Sequence, residues 1–169
     1  MLASVVIIII SALLTYFFGD WKHWQSYHTT MLYVSMMNLT YEILAYNHSL
    51  WEYLPGLIPK HTFMTLLTIF VVLPTITLIY LSHFPENLKW QFLYVACWVL
   101  GSTLIEYCIT NRFIIYKNGW GIGWSLLLYS LMYLMLNLHH KRPISAYIIS
   151  FICVLFFLYC FRIPFSSMK

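Results

Sequence analysis

The sequence predicts an all-α, polytopic membrane bundle of six transmembrane helices, or five if the second apolar run does not cross. Three observations predict it. Hydrophobic residues fill 62% of the 169 positions and charged residues only 8%, against roughly 25% charged in a soluble domain. With 9 Lys or Arg and 5 Asp or Glu, the chain cannot cover a water-facing surface. The apolar residues also gather into runs about as long as the 20 residues a helix needs to cross a bilayer. Finally, 7 Trp and 14 Tyr suit aromatic belts at the membrane interfaces.

The first run, 2–18, has no basic leader and no small-x-small cleavage pattern, so it reads as a span rather than a signal peptide. "GDWKHWQSYH" ends it. The second run, 29–47, is the weakest, because Ser35, Asn38 and Glu42 raise its cost of insertion. If it does not cross, everything after it inverts. Pro55, Gly56 and Pro59 break the chain before the third run, 62–82, where Pro74 predicts a kink. "HFPENLKW" leads into the fourth run, 91–109, and "TNRFIIYKNG" follows it. The fifth run, 120–138, ends at "HHKRP", and the sixth is 144–161. Short loops make neighbouring spans antiparallel.

The net charge of +4 is spread along the chain. Nucleic acid is therefore not an expected partner; membrane lipids are. Lys22, Lys89, Lys141 and Arg142 lie in the odd loops. Lys60, Arg112 and Lys117 lie opposite, with Arg162 and Lys169 near the C-terminal end. The uncharged N-terminal run and the basic "HHKRP" turn tilt the orientation toward cytoplasmic odd loops. Cys97, Cys108, Cys153 and Cys160 show no CxxC spacing and read as small buried thiols.

A shift of 64 residues lays "YEILAYN" on "IEYCITN", with Glu42 on Glu106 and Asn47 on Asn111. The chain thus reads as one membrane domain, 1–169, with an internal duplication of a helical hairpin, about 29–85 and 91–143. In a six-span bundle the second and fourth spans run the same way. Glu42 and Glu106 then sit at similar depth near loops two and four, where they can face one another.

Each glutamate belongs to a polar stripe. Ser35, Asn38, Glu42 and Tyr46 recur at helical spacing. So do Ser102, Glu106 and Thr110, and on the fifth span Ser125, Tyr129, Tyr133 and Asn137. Such faces are costly against lipid and belong in a bundle interior or a wet cavity. A carboxylate at the centre of a span costs about 2.5–3.5 kcal/mol on insertion scales. Two readings stay open. The glutamates handle protons, cations or a polar solute, since burial and a nearby carboxylate both raise a carboxyl pKa. Or they hydrogen-bond across helices and only specify packing.

His23, His28, His83, His139 and His140 fall on the odd-loop face, but no pair has metal-ligand spacing and no HExxH motif occurs. "NGWGIGWS" (118–125) follows no strand, so it reads as a turn with two Trp anchors, or a ligand gate, and not as a nucleotide fingerprint. No nucleophile constellation appears, so no catalytic residue, metal ligand or cofactor is assigned, and enzyme activity is not expected.

"WKHW" (21–24), "LWEYLP" (50–55), "LSHFP" (81–85), "IEY" (105–107) and "NGWGIGWS" resemble the landmarks of an uncharacterised family of small multi-pass membrane proteins from spore-forming Gram-positive bacteria. The resemblance implies a bacterial plasma membrane and assigns no chemistry. The expected function is transport of a small solute, proton or cation, or ligand binding. Glu42 and Glu106 would carry it, with Asn38, Tyr46, Ser102, Tyr129, Tyr133 and Asn137 around them. The alternative is a non-catalytic accessory or assembly protein, paired with another membrane protein or with its own copies.

Overall fold

The computed structural model describes residues 13–54 and 61–164. Of the first predicted run only the end, helical over 13–18, falls among them. Six α-helices follow: α1 (Trp24–Leu44), α2 (His61–Leu67), α3 (Leu73–Ser82), α4 (Leu88–Ile109), α5 (Ile122–Lys141) and α6 (Pro143–Cys160). A π-helical turn, Thr68–Val72, joins α2 to α3, so the three make one continuous rod. Loops two and four contribute two strands that the sequence does not announce, β1 (Trp51–Tyr53) and β2 (Ile114–Tyr116).

Four of these rods are long and apolar enough to cross a membrane: Thr62–Ser82, Leu88–Ile109, Ile122–Lys141 and Pro143–Cys160. Helix α1 has the length but not the apolarity, because it carries the Ser35, Asn38 and Glu42 stripe. The boundaries move by a few residues from the sequence reading. Asp20 caps a 3₁₀ turn, Trp21–His23, that feeds α1, and Asn87 accepts the Lys89 N–H at 3.0 Å to start α4.

Helix α5 is the hub. It packs against α4, α6, α1 and α3, while α1 also packs along α3. The core between them is aromatic: Tyr33, Tyr80 and Tyr133 are almost wholly buried with Val34, Leu81, Val99 and Leu136. Each buried phenol finds a partner. Tyr80 donates to the Tyr133 carbonyl at 3.0 Å, and Tyr33 bonds Ser150 of α6. Gly19 closes the N-terminal helix against α3: a Cβ there would meet the Thr15 carbonyl at 2.5 Å and Leu78 at 3.1 Å.

The ends of the bundle sort by loop parity. The Tyr27 ring lies 5.5 Å from His140, and Lys141 Nζ lies 5.5 Å over Phe84. The start of α1, the end of α3 and the end of α5 therefore meet. At the other end β1 and β2 pair antiparallel, Trp51 with Tyr116 and Tyr53 with Ile114.

The cysteine expectation is corrected. Cys97, Cys108 and Cys160 are exposed and Cys153 is half-buried. Helix α4 packs mainly on α5 and leaves Leu100, Leu104 and Ile105 more than 60% exposed beside those thiols. Such a face suits lipid as its solvent.

Pro74 acts through the π turn. There the Leu73 N–H bonds the Thr68 carbonyl, five residues back. In that register residue 74 would bond the Ile69 carbonyl, but proline has no N–H. Ser35 Oγ fills the vacancy, donating to the Ile69 carbonyl at 2.7 Å. Ser35→Ala is expected to cost about 1 kcal/mol, and clearly less when Pro74→Ala restores the N–H. Unfolding of the four proteins of this cycle in detergent checks it. Equal costs in both backgrounds would show that Ser35 acts elsewhere.

Candidate functional site

Glu106 lies one turn before the end of α4 and is 9% exposed. Helix α5 runs antiparallel to α4, so side chains four apart on one rod meet side chains four apart on the other. Ser102 bonds Tyr133 at 2.7 Å. One turn on, Tyr129 donates to Glu106 Oε2 at 2.5 Å, and Ser125 donates to Glu106 Oε1. The two stripes therefore form one seam.

Loop four supplies the rest of the cage. Asn118 and Gly119 take positive φ angles of 49° and 83°, which turn the chain back after β2. Tyr116 of β2 donates to Glu106 Oε1 at 2.6 Å. Its hydroxyl also lies 3.1 Å from Thr110 Oγ1. Trp120 Nε1 donates to Ser125 Oγ at 2.9 Å, which fixes that hydroxyl. Burial, and then the hydrogen bond to Glu106, hold the Tyr116 phenol above its ordinary pKa, so it stays a donor. A carboxylate only accepts, and three hydroxyls converge on this one.

The cage is tied to the cap. Glu52 of β1 meets Lys117 Nζ at 2.5 Å and accepts Ser49 Oγ at 2.7 Å. Tyr41 of α1 stacks on Trp51 at 4.2 Å and accepts the Leu50 N–H at 3.0 Å. Trp51 reaches the Trp120 ring at 4.9 Å. Loops two and four are thus one lid over the end of the bundle, and Glu106 is where α5 and the lid converge on α4.

Glu42 stands apart. It is half-buried and makes no hydrogen bond to a described residue. The two carboxylates share a neighbour. The Tyr53 phenol is pushed above its ordinary pKa mainly by burial, and additionally by the charges of both Glu42 and Glu106. Its hydroxyl lies 3.3 Å from Thr68 Oγ1 in the π turn.

The other expected residues scatter. Asn38 lines a cleft between α1 and α6 that neither glutamate borders. Tyr46 is 56% exposed at the bundle end, and Asn137 is half-buried two turns from Tyr129. Among the described residues no three His, Cys, Asp or Glu gather as a metal site. His139 is buried instead, stacked on Tyr33 at 4.1 Å and 3.0 Å from Thr30 Oγ1.

Tyr53, Tyr116, Trp120 and Ser125 are residues that the sequence reading did not place in the site, although Ser125 stood on the polar stripe of the fifth span. Tyr53 and Tyr116 sit in loops, where helical spacing says nothing. The one available signal was the alignment of loops two and four in the repeat.

Comparisons of the chain with protein-family models, curated proteins and solved structures returned no match.

Proposed function

We propose that this chain is a non-catalytic accessory or binding protein of a bacterial plasma membrane. It crosses six times, and Glu106 is a structural clamp. The observation that carries the reading is the closed set of donors around Glu106. Tyr116, Ser125 and Tyr129 all donate to it, and Trp120 holds Ser125 in place. A shuttle needs a path for its proton or ion, and here the carboxylate oxygens are spent on joining the lid to the bundle. The bacterial membrane rests on the landmark resemblance. Six crossings rest on the parity of the bundle ends.

The second reading, proton or cation handling by both glutamates, is favoured by Tyr53, which lies within electrostatic reach of each. An open hollow lined by Thr110, Asn111, Arg112 and Tyr116 also brings the outside within one side chain of Glu106.

Carboxyl infrared spectra across pH separate the readings. A clamp predicts that Glu42→Gln leaves the Glu106 bands unchanged, because the sites do not interact. Proton handling predicts joint titration that each Glu→Gln change displaces. Such displacement would put the second reading in front.

Topology has its own check. Single cysteines at Ser26, Glu86 and Lys141, without the native cysteines, are expected to label from one side of the membrane. Opposite labelling of Ser26 and Glu86 would mean that α1 does not cross.

A further inference from the structure

Helices α1 and α6 meet where Tyr33 reaches Ser150, and beyond that point Trp120 of the lid stands between α1 and the end of α6. At one end Tyr33 bonds Ser150 and its ring lies 5.3 Å from Tyr147. At the other, Trp120 of the lid lies 6.0 Å from the Phe157 ring and 5.2 Å from Phe161. Between these contacts lies a half-open cleft of about 190 Å³. Leu131, Met132 and Met135 of α5 form its floor. Methionine adapts its shape to irregular contents.

The lining is almost wholly apolar, and its polar groups are mostly occupied. Ser150 is bonded to Tyr33, and the Tyr41 oxygen accepts the Leu50 N–H. Asn38 is different. The residue lines the cleft, and its side chain makes no hydrogen bond to a described residue. An amide left without a partner in an apolar, membrane-embedded space costs about 1–3 kcal/mol. Two donors and an acceptor are thus held ready in a greasy pocket. Among the described residues no Lys, Arg or His lines the cleft, so an anionic head would find no counter-charge among them.

We propose that the cleft between α1 and α6 binds a small neutral amphiphile, with an alkyl body of about six to eight carbons and one hydroxyl or carbonyl for Asn38. The size follows from volume. An apolar cavity of about 150 Å³ holds benzene, and this one is somewhat larger. An apolar molecule of this kind partitions into a bilayer, so it can reach a cleft between membrane-spanning helices from the lipid. The proposal holds whether or not Glu106 is a clamp, since Glu106 does not border the cleft.

Trp51 and Trp120 both line the cleft, so their fluorescence reports its contents. The probe is an ω-brominated octanol, added to the full chain in bilayer discs of unbrominated lipid. It is expected to quench saturably, with octanol restoring the signal, octane about fivefold less effective, and octanoate ineffective. Asn38→Leu is expected to erase the advantage of octanol over octane. Val154→Phe, which fills the cleft from a half-exposed position on α6, is expected to abolish the saturable component while leaving the lid folded. Linear quenching that Val154→Phe leaves unchanged would overturn the site, since bulk partition explains it. Equal competition by octane and octanol would overturn the role of Asn38 and leave a cleft filled by lipid chain ends. Neither result depends on how Glu106 titrates.

Discussion

Replacing Glu106 by alanine is expected to destabilise the protein by about 3 kcal/mol. The change removes the acceptor of three hydroxyls at once: Ser125 is buried, Tyr129 is part-buried, and Tyr116 keeps only the Thr110 hydroxyl at 3.1 Å. Each buried donor without an acceptor costs about 1 kcal/mol or more. Glu106→Gln keeps one acceptor oxygen and turns two N–H donors toward hydroxyls that are already donors, so it is expected to fall between alanine and the parent. Thermal unfolding in detergent, followed by tryptophan fluorescence, measures the series. The lid is expected to loosen first, and protease cutting within 48–60 reports that. An alanine variant within about 0.5 kcal/mol of the parent, the range of ordinary surface changes, would remove the clamp.

Trp120→Ala is the other large effect, at about 3–5 kcal/mol. The ring is 8% exposed and touches Trp51, Trp124, Phe157 and Phe161. Its loss leaves a void between the lid and α6 and frees Ser125 from the indole N–H. Trp120→Phe restores much of the apolar volume but not the donor, so it is expected to cost less than half as much. Because Trp120 reaches Glu106 through Ser125, the two alanine changes share a network and are expected not to add. Full additivity in the double variant would mean that lid packing and the carboxylate cage are separate structures.

These expectations bear on why a chain this apolar keeps two glutamates within its helices. The similar placement of Glu42 and Glu106 on helices running the same way suggested a facing pair. In the fold their surroundings differ. Glu106 looks across to α5, whose stripe of Ser125, Tyr129 and Tyr133 is rich in hydroxyls. Glu42 lies within electrostatic reach of Tyr53 and finds no hydrogen-bond donor among the described residues. Equivalent positions in a sequence do not make equivalent sites when the facing helices differ.

The sequence by itself determined that the chain is mostly helical, with helices long and apolar enough to cross a membrane. A chain with 8% charged residues can satisfy its backbone in lipid only by helices or a closed barrel, and its long apolar runs select helices. For α4 and α5 it also determined which helix faces look inward, because a hydroxyl or carboxylate repeating every three or four residues is costly against lipid. The α4 and α5 stripes do meet, at Ser102 with Tyr133 and Glu106 with Tyr129. Only the tertiary structure decided what lies opposite each stripe. Helical spacing is a property of one segment, whereas partners are set by how rods cross and where loops fold back. Tyr116 and Trp120 reach Glu106 because residues 110–121 fold over the bundle end and pair with β1. The cleft beside Asn38 exists because α1 and α6, far apart in the chain, meet at Tyr33 and Ser150 and are then separated by Trp120 of the lid.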